Sequence, residues 1–557
     1  MPGRHAAVRA ASVRRPGGPP AAAGDLSQLA RGGALNLAGA VANGLLSFVL
    51  TVVVTRGLRA GGAGAFFEAV ALFMILSSIA GLGADAGLSR TIPRYRALGR
   101  ARDIRRGLAV GMVPVAVAGV VLAACMFAFA PELARVFARR GGTDRLAELT
   151  RSLAPFLPVY AVSIAAFAGT RGLGTMRPSA LLDKVARPAL QPLLVAAVLA
   201  AGAGSTAIAV AWGLPFALAL AAALAWLAVL ARRAERRRPD AAPARPLGEL
   251  AADFWRFTGP RGLAVVFQTT SLWLSTLLIG ALRSTREAGV YTAATRYLVA
   301  GAFVALAIRQ VMAPKISELL AQRLDGRAGA VFQTTTCWMV GLNWPIYLVL
   351  VAYGPALLRV FGSGFGEGHA ALAILAATML LATAVGPVDV VLLMGGRSSW
   401  NLLNTVLALA TNLLLNLALT PRLGLAGAGL AFAGGILVNN LLPLAQVWRL
   451  LRLHPFGQGT LVVAAIAAAC FGAVGAAMRA LAGPSVPAFL AYAVLSCALY
   501  AAALWRFRER LELPALAAAL VGHAGAGGRG GRHARRSGRH LRGTVRMDGR
   551  SPGGAPR

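Results

Sequence analysis

Acid is scarce in this sequence: 20 Asp and Glu stand among 557 residues, against 56 Lys and Arg. Charged residues of both signs reach only 14% of the chain, whereas the AVILMFWYC set reaches 57%. A water-soluble protein of this length would lack the polar side chains to cover its surface. Cysteine is rarer still. Cys125, Cys337, Cys470 and Cys497 each fall inside an apolar run with no ligand-like spacing, so neither a disulfide framework nor a metal site follows. No histidine lies within an apolar run; His369 sits at the edge of one. Phosphate-cradling glycine motifs, metal-ligand spacings and paired catalytic carboxylates are all missing. The sequence therefore offers no catalytic residues, and an enzyme reading has little to stand on.

What the chain has is apolar length. About fourteen runs between Ala34 and Trp505 are each long enough to cross a hydrocarbon core of roughly 30 Å as a helix. Helices satisfy their own backbone groups in lipid, so the expected fold class is an all-α polytopic membrane protein. The runs include 34–55, 66–84, 188–204, 206–230, 262–282, 290–312, 370–395, 401–420 and 425–447. Alternate gaps differ sharply in charge: one side holds 41 Lys and Arg and the other 12, of 56 in all. Positive residues stay on the side of synthesis, which puts both termini in the cytoplasm and the chain in the cytoplasmic membrane.

The basic residues concentrate in tails. Residues 506–557 carry twelve of them among Gly, Ser and His, without the interleaved aromatics that stack bases. Contact with anionic lipid is the expected role, and no specific nucleic acid is implied. The amino-terminal tail 1–33 is basic too, and the apolar run after it is too long for a cleaved signal core.

A repeat divides the rest. Gly64-Ala65-Phe66 and Gly289-Val290-Tyr291 open the second and eighth runs at an offset of 225, which also aligns Arg90 with Lys315. Six runs separate the copies, so both point the same way, as in transporters with parallel repeats. The expected division is 34–230 as one six-helix lobe, 231–258 as linker, 259–447 as the second lobe, and 448–505 as an appended helix pair.

Few charges enter the runs. Arg296 lies well inside the eighth; Arg261 and Arg309 lie near run ends. Such residues usually face a cavity or a partner. Arg296 is expected either to contact an anionic headgroup or to pair with Glu68, while Arg261 and Arg309 are placed to line the passage or snorkel to the interface. Asp389, after Gly386-Pro387, is a coupling-ion candidate or part of a capped kink, and Glu68 and Asp85, the latter at a run end, are further ion-coupling or ion-pair candidates. Arg90, Arg94 and Lys315 would make the cytoplasmic mouth basic. Asn36, Asn43, Asn412 and Asn416 are candidate cavity amides, the last two on one helix face at i, i+4. Interhelical hydrogen bonding and sugar recognition both remain open for them.

Several stretches resemble the polysaccharide transporter, or oligosaccharide flippase, branch of the multidrug/oligosaccharidyl-lipid/polysaccharide (MOP) exporter superfamily. They are Gly81–Arg90 with Pro93-Arg94-Tyr95-Arg96, Glu287–Tyr291 continuing to Arg296, Pro314–Glu318, and Asn412–Asn416 followed by Thr420–Gly429. The resemblance implies a two-lobed bundle rocking between inward- and outward-open states. Its implied cargo is a polyprenyl pyrophosphate-linked oligosaccharide, with membrane lipids and a polymerase or glycosyltransferases as partners. One departure concerns the driving ion, H+ or Na+: relatives often carry an acid in the seventh helix where this chain has Ser275. The first run also lacks an interior arginine, Arg56 being at its end. A multidrug or cation antiporter of the same superfamily and a membrane polymerase or glycosyltransferase are the alternatives.

Overall fold

The computed structural model describes residues 21–138, 141–237, 245–483 and 485–508, the side chains of 21–36, 101, 235–237 and 398 excepted. The expectations for 1–20 and 509–557 lie outside it, as does the Asn36 side chain. The fold is that of the compact unit Leu35–Leu516. Its first half holds α1 (Ala21–Ala80), α2 (Ala84–Ala97), α3 (Ala101–Ala128), α4 (Ala130–Phe137), α5 (Thr143–Leu153), α6 (Phe156–Gly172), α7 (Arg187–Ala200) and α8 (Ser205–Arg237). The second holds α9 (Leu247–Leu282), α10 (Thr285–Arg296), α11 (Val299–Ala321), α12 (Asp325–Leu358), α13 (His369–Ala384), α14 (Val388–Met394) and α15 (Ser398–Leu451). After them come α16 (Gln458–Ala467), α17 (Val474–Ala482) and α18 (Val486–Arg506). No strand occurs among the described residues.

Among the described residues, ten helices are long and apolar enough to cross a membrane, or eleven if the bent pair α5–α6 makes one crossing. The expected count was higher, and the difference has a physical origin. Two of the ten, Leu37–Ala97 and Ser399–Leu451, run 61 and 53 residues, where about 20 suffice for one crossing. Each contains a non-helical residue, Arg59 (φ 56°) and Gly424 (φ 57°), in gaps the sequence leaves between runs. The stretch after α6 departs most from expectation. A π-helix, Ser179–Ala186, leads directly into α7, so Asp183, Lys184 and Arg187 are helical although they precede the apolar run expected at 188.

Aromatic packing fixes the first half: Phe73, Tyr160, Trp212 and Phe216 meet with ring centroids 4.8 to 5.9 Å apart. Elsewhere small residues do the work. Lipid tails are as apolar as Leu, so helices in a membrane gain most by letting backbones approach closely. The repeat-related glycines Gly64 and Gly289 face each other across the seam between the halves. A Cβ on Gly64 would overlap the Thr285 carbonyl; one on Gly289 would overlap the Ala60 carbonyl and stand 2.8 Å from the Gly64 nitrogen. The contact is reciprocal, because Ala60 and Thr285 share the offset of the glycines. Two copies meeting through the same patch is the signature of a two-fold arrangement.

At the opposite end of the bundle the halves touch again. There a Cβ on Gly83 would come 2.5 Å from the Gly262 nitrogen. Gly83 has φ +73°, a conformation that a side chain would strain.

Gly64→Val and Gly289→Val should each lower stability by about 1–3 kcal/mol through overpacking. Gly61→Ala, whose added methyl meets open space, should be neutral. Thermal unfolding of the purified protein in detergent tests both.

Candidate substrate passage

Arg296 is the last residue of α10, where the helix breaks at Tyr297 and Leu298 before α11 begins. The break puts a guanidinium against a helix C-terminus, the electrostatically favourable end for a cation. Its carbon lies 5.2 Å from the Trp273 ring centroid and 5.9 Å from that of Phe67. Phe67 belongs to the first half and Trp273 to the second, so an aromatic clamp holds the cation on the seam. No acid pairs with it among the described residues, and its buried Nε has no hydrogen-bond partner.

The Glu68 pairing is therefore corrected. Glu68 follows Phe67 but projects about 100° away around the helix. Its carboxylate crowds Gly280 on α9, and both oxygens lack hydrogen-bond partners.

A cavity of about 460 Å³ opens within the second half. Its wall includes Gln268, Arg309, Tyr347, Asn412, Asn439 and Asn440. Leu298, two residues beyond Arg296, also reaches it. Arg309 donates to Asp389 at 2.5 Å, with side chains 40% and 26% exposed, so the cavity's cation is neutralised. Asp389 stands in the first turn of α14, just past the expected break at Gly386 (φ +73°). That placement joins the kink and the charge in one feature. Arg261 is exposed and stands apart from this wall.

Asn412 and Asn416 share a face as expected, but they face α9. The Asn416 amide donates to Ser275 at 3.2 Å and to the Asn412 carbonyl oxygen Oδ1 at 2.6 Å. Ser275 donates to that same Oδ1 at 3.4 Å, and Thr420 donates to Asn416 at 3.0 Å. Ser275 thus fills its position in a neutral ladder with no carboxylate to hold a cation. Asn43 is half-buried on α1.

The mouth residues have mixed surroundings. Arg90 stacks over Phe257 at 4.0 Å, Arg94 is exposed, and Lys315 pairs with Glu318 at 2.9 Å. Asp85 lies close enough to act electrostatically on Arg171.

A polar group inside the first half has no counterpart among the expected site residues. Arg187 pairs with Asp183 at 3.2 Å, stacks on Phe216 at 5.0 Å and donates to Gln191 at 3.3 Å. Gln191 donates to the Trp212 carbonyl at 3.0 Å, and Arg171 donates to Ser179 at 3.1 Å. The i, i+4 spacing of Asp183 and Arg187 was the available signal; the π-helix that turns them inward was not visible.

These features belong to a known architecture. A lipid II flippase, MurJ, in its inward closed conformation superposes with TM-score 0.62 at 13% identity, over 84% of this chain and 99% of that one. An inward-facing multidrug resistance MATE family transporter of the MOP superfamily gives TM-score 0.56 at 17% identity, covering 74% and 94%. The protein is a multi-pass membrane protein with the MOP transporter fold. In sequence, the polysaccharide biosynthesis protein family matches residues 29–320, more than half of the chain, and the chain belongs to that family. Stage V sporulation protein B of Bacillus subtilis (strain 168) is 23% identical over 443 residues, 76% of this chain and 84% of that protein.

Arg309→Ala and Asp389→Ala should couple by at least about 0.5 kcal/mol in a double-mutant cycle on stability. Glu68→Gln and Arg296→Ala should instead add within about 0.5 kcal/mol. Coupling between Glu68 and Arg296 would restore the discarded pairing.

Proposed function

We propose that the protein moves a lipid-linked oligosaccharide, carried on polyprenyl pyrophosphate, across the cytoplasmic membrane for cell-surface polysaccharide synthesis. The observation that carries this reading is Arg296: a cation on the seam, clamped by Phe67 and Trp273 and without an anion of its own. A buried charge without a partner is costly. A pyrophosphate would supply the missing acceptors, and a guanidinium suits phosphate oxygens. The amide-rich cavity beside it offers hydrogen-bonding groups for sugar, and the lipid tail remains in the bilayer while the halves part. Family membership and the fold shared with a lipid II flippase support the same class of cargo. Alternating access moves the cargo if both open states bind it comparably.

The charge bias between gaps supports cytoplasmic termini, so the Gly64 end faces out and the Gly83 end faces the cytoplasm. Anionic membrane lipid is then the partner of the basic tails, and a polymerase or glycosyltransferases would act on either side of transport. The protein itself performs no catalysis in this reading. A drug or cation antiporter shares the fold, but an unpaired cation on the seam disfavours positively charged cargo.

Arg296→Ala should abolish movement of labelled lipid-linked sugar between leaflets of reconstituted vesicles without lowering expression; Arg296→Lys should retain part of it. Unchanged movement in Arg296→Ala would remove this residue from the path. Deleting 520–557 should leave movement intact in the same assay; its loss would give the tail a role beyond lipid contact.

A further inference from the structure

Glu68, an ion-coupling or ion-pair candidate in the sequence, has surroundings unlike those of a paired acid. Its residue exposure is 0%, both carboxylate oxygens lack a hydrogen-bond partner, and no ion pair reaches it among the described residues. One turn further along α1, Ala71 and Leu72 pack with Leu277, Leu133 and Phe137, so the neighbourhood is apolar. The carboxylate fits only because position 280 on α9 is glycine: a Cβ there would overlap Oε1 and stand 2.6 Å from the Phe137 carbonyl. Glu68 thus lies in the seam itself, pressed between the halves one turn from the Gly64–Gly289 contact.

A cleft of about 500 Å³ opens at this end of the bundle, bounded by Ala65, Gly141, Thr143 and Thr285. Thr285 lines the cleft and also stands beside the Glu68 side chain, and its hydroxyl donates to the Gly141 carbonyl at 3.0 Å. The cleft and the buried carboxyl thus share Thr285 as a neighbour.

Of the charged groups on the packed elements, Arg296 on α10 is held over the Phe67 and Trp273 rings, and several others have partners of their own. On and beside α9, Arg283 pairs with Glu287 at 3.3 Å; on α10, Arg286 pairs with Glu367 at 2.8 Å. On α4, Glu132 pairs with Arg135 at 3.1 Å; on α5, Arg145 donates to Ser205 at 3.2 Å while Asp144 lines the cleft.

We propose that Glu68 is a proton-binding site, loaded from the cleft at the Gly64 end, whose protonation accompanies closure of the seam between the halves. An ionised carboxylate without a donor is expensive in such a site, whereas a neutral acid needs only one acceptor. The Phe137 carbonyl and the Thr285 hydroxyl are beside it. When the halves part, water enters and solvates the ionised form. Closure thus takes up one proton: the closed state is favoured at low pH and loses ground as pH rises, by up to about tenfold per pH unit for a single group. The inference deepens the transport reading by giving it a coupling ion, yet its test needs no cargo.

The experiment places spin labels across the seam at Gly61→Cys and Ser363→Cys, with the four native cysteines replaced, in lipid nanodiscs without cargo. Gly61 meets open space, and the loop holding Ser363 is tied to α1 by the bond from Arg56 Nε to the Val360 carbonyl at 2.8 Å. Electron–electron distances are recorded from pH 5 to 9. The short-distance population should shrink with rising pH in the parent, persist at all pH values in Glu68→Gln, and shrink again in Glu68→Asp. Arg296→Ala should keep the parent response even where it stops lipid movement. Identical pH profiles in the parent and Glu68→Gln would overturn the proposal. So would a short-distance population that grows with pH, or a response lost in Arg296→Ala, which would place the titration elsewhere.

Discussion

The structure depends on two halves touching backbone to backbone inside lipid. No hydrophobic force draws helices together there, so the seam is built from positions where a methyl group does not fit. Gly64 meets the Thr285 carbonyl and Gly289 meets the Ala60 carbonyl, while Gly83 meets Gly262 at the other end. Side chains are therefore excluded from the contact. Where the backbones do not touch, the remaining space along the seam must be filled by a few specific groups: Phe48 against Tyr297 at 5.2 Å, the Arg296 clamp, and Glu68 against Gly280.

That constraint makes the electrostatics selective. Asp389 neutralises the cation that lines the second-half cavity, and Asp183 neutralises the one buried in the first half. The Ser275–Asn412–Asn416–Thr420 ladder satisfies its members with one another and carries no net charge. Among the described residues, the Arg296 guanidinium and the Glu68 carboxylate have unsatisfied buried atoms and no opposite charge, and both lie on the seam. A charge embedded within one half keeps its partner through any rigid-body motion. In the transport reading proposed above, a charge on the seam would change its surroundings as the halves part and so respond to cargo or to a proton.

Much of the architecture was legible in the sequence because it follows from periodic, local chemistry. The offset of 225 located both glycines of the reciprocal contact, and the polar gaps located the breaks at Arg59 and Gly424. Gly386-Pro387 announced its kink. Ser284-Thr285-Arg286-Glu287 is a capping pattern, with Ser284 accepting from the Glu287 nitrogen at 3.2 Å, and it starts α10 before the apolar run expected at 290. The break after Arg296 has no such mark, since no proline or glycine adjoins it. Nor does spacing reveal which face of a buried helix meets which neighbour. Asn412 and Asn416 read as one face correctly, yet that Asn412 would line the cavity and both would also bond Ser275 depended on the packing of α9.

The separation of Glu68 from Arg296 shows why. In sequence they are the natural pair: the scarce acid of the second run and the scarce base of the eighth, both within a membrane. Coulomb attraction at low dielectric would favour the pairing if the geometry allowed it. It does not, because Phe67 takes the helix face directed at Arg296, and its ring and that of Trp273 clamp the guanidinium. Glu68 is turned into the glycine gap at 280. Pairing them would have buried a neutral unit insensitive to cargo and to pH. Keeping them apart leaves, on the seam between the halves, a cation without an anion and an acid without a donor, the two groups on which the transport and proton proposals rest.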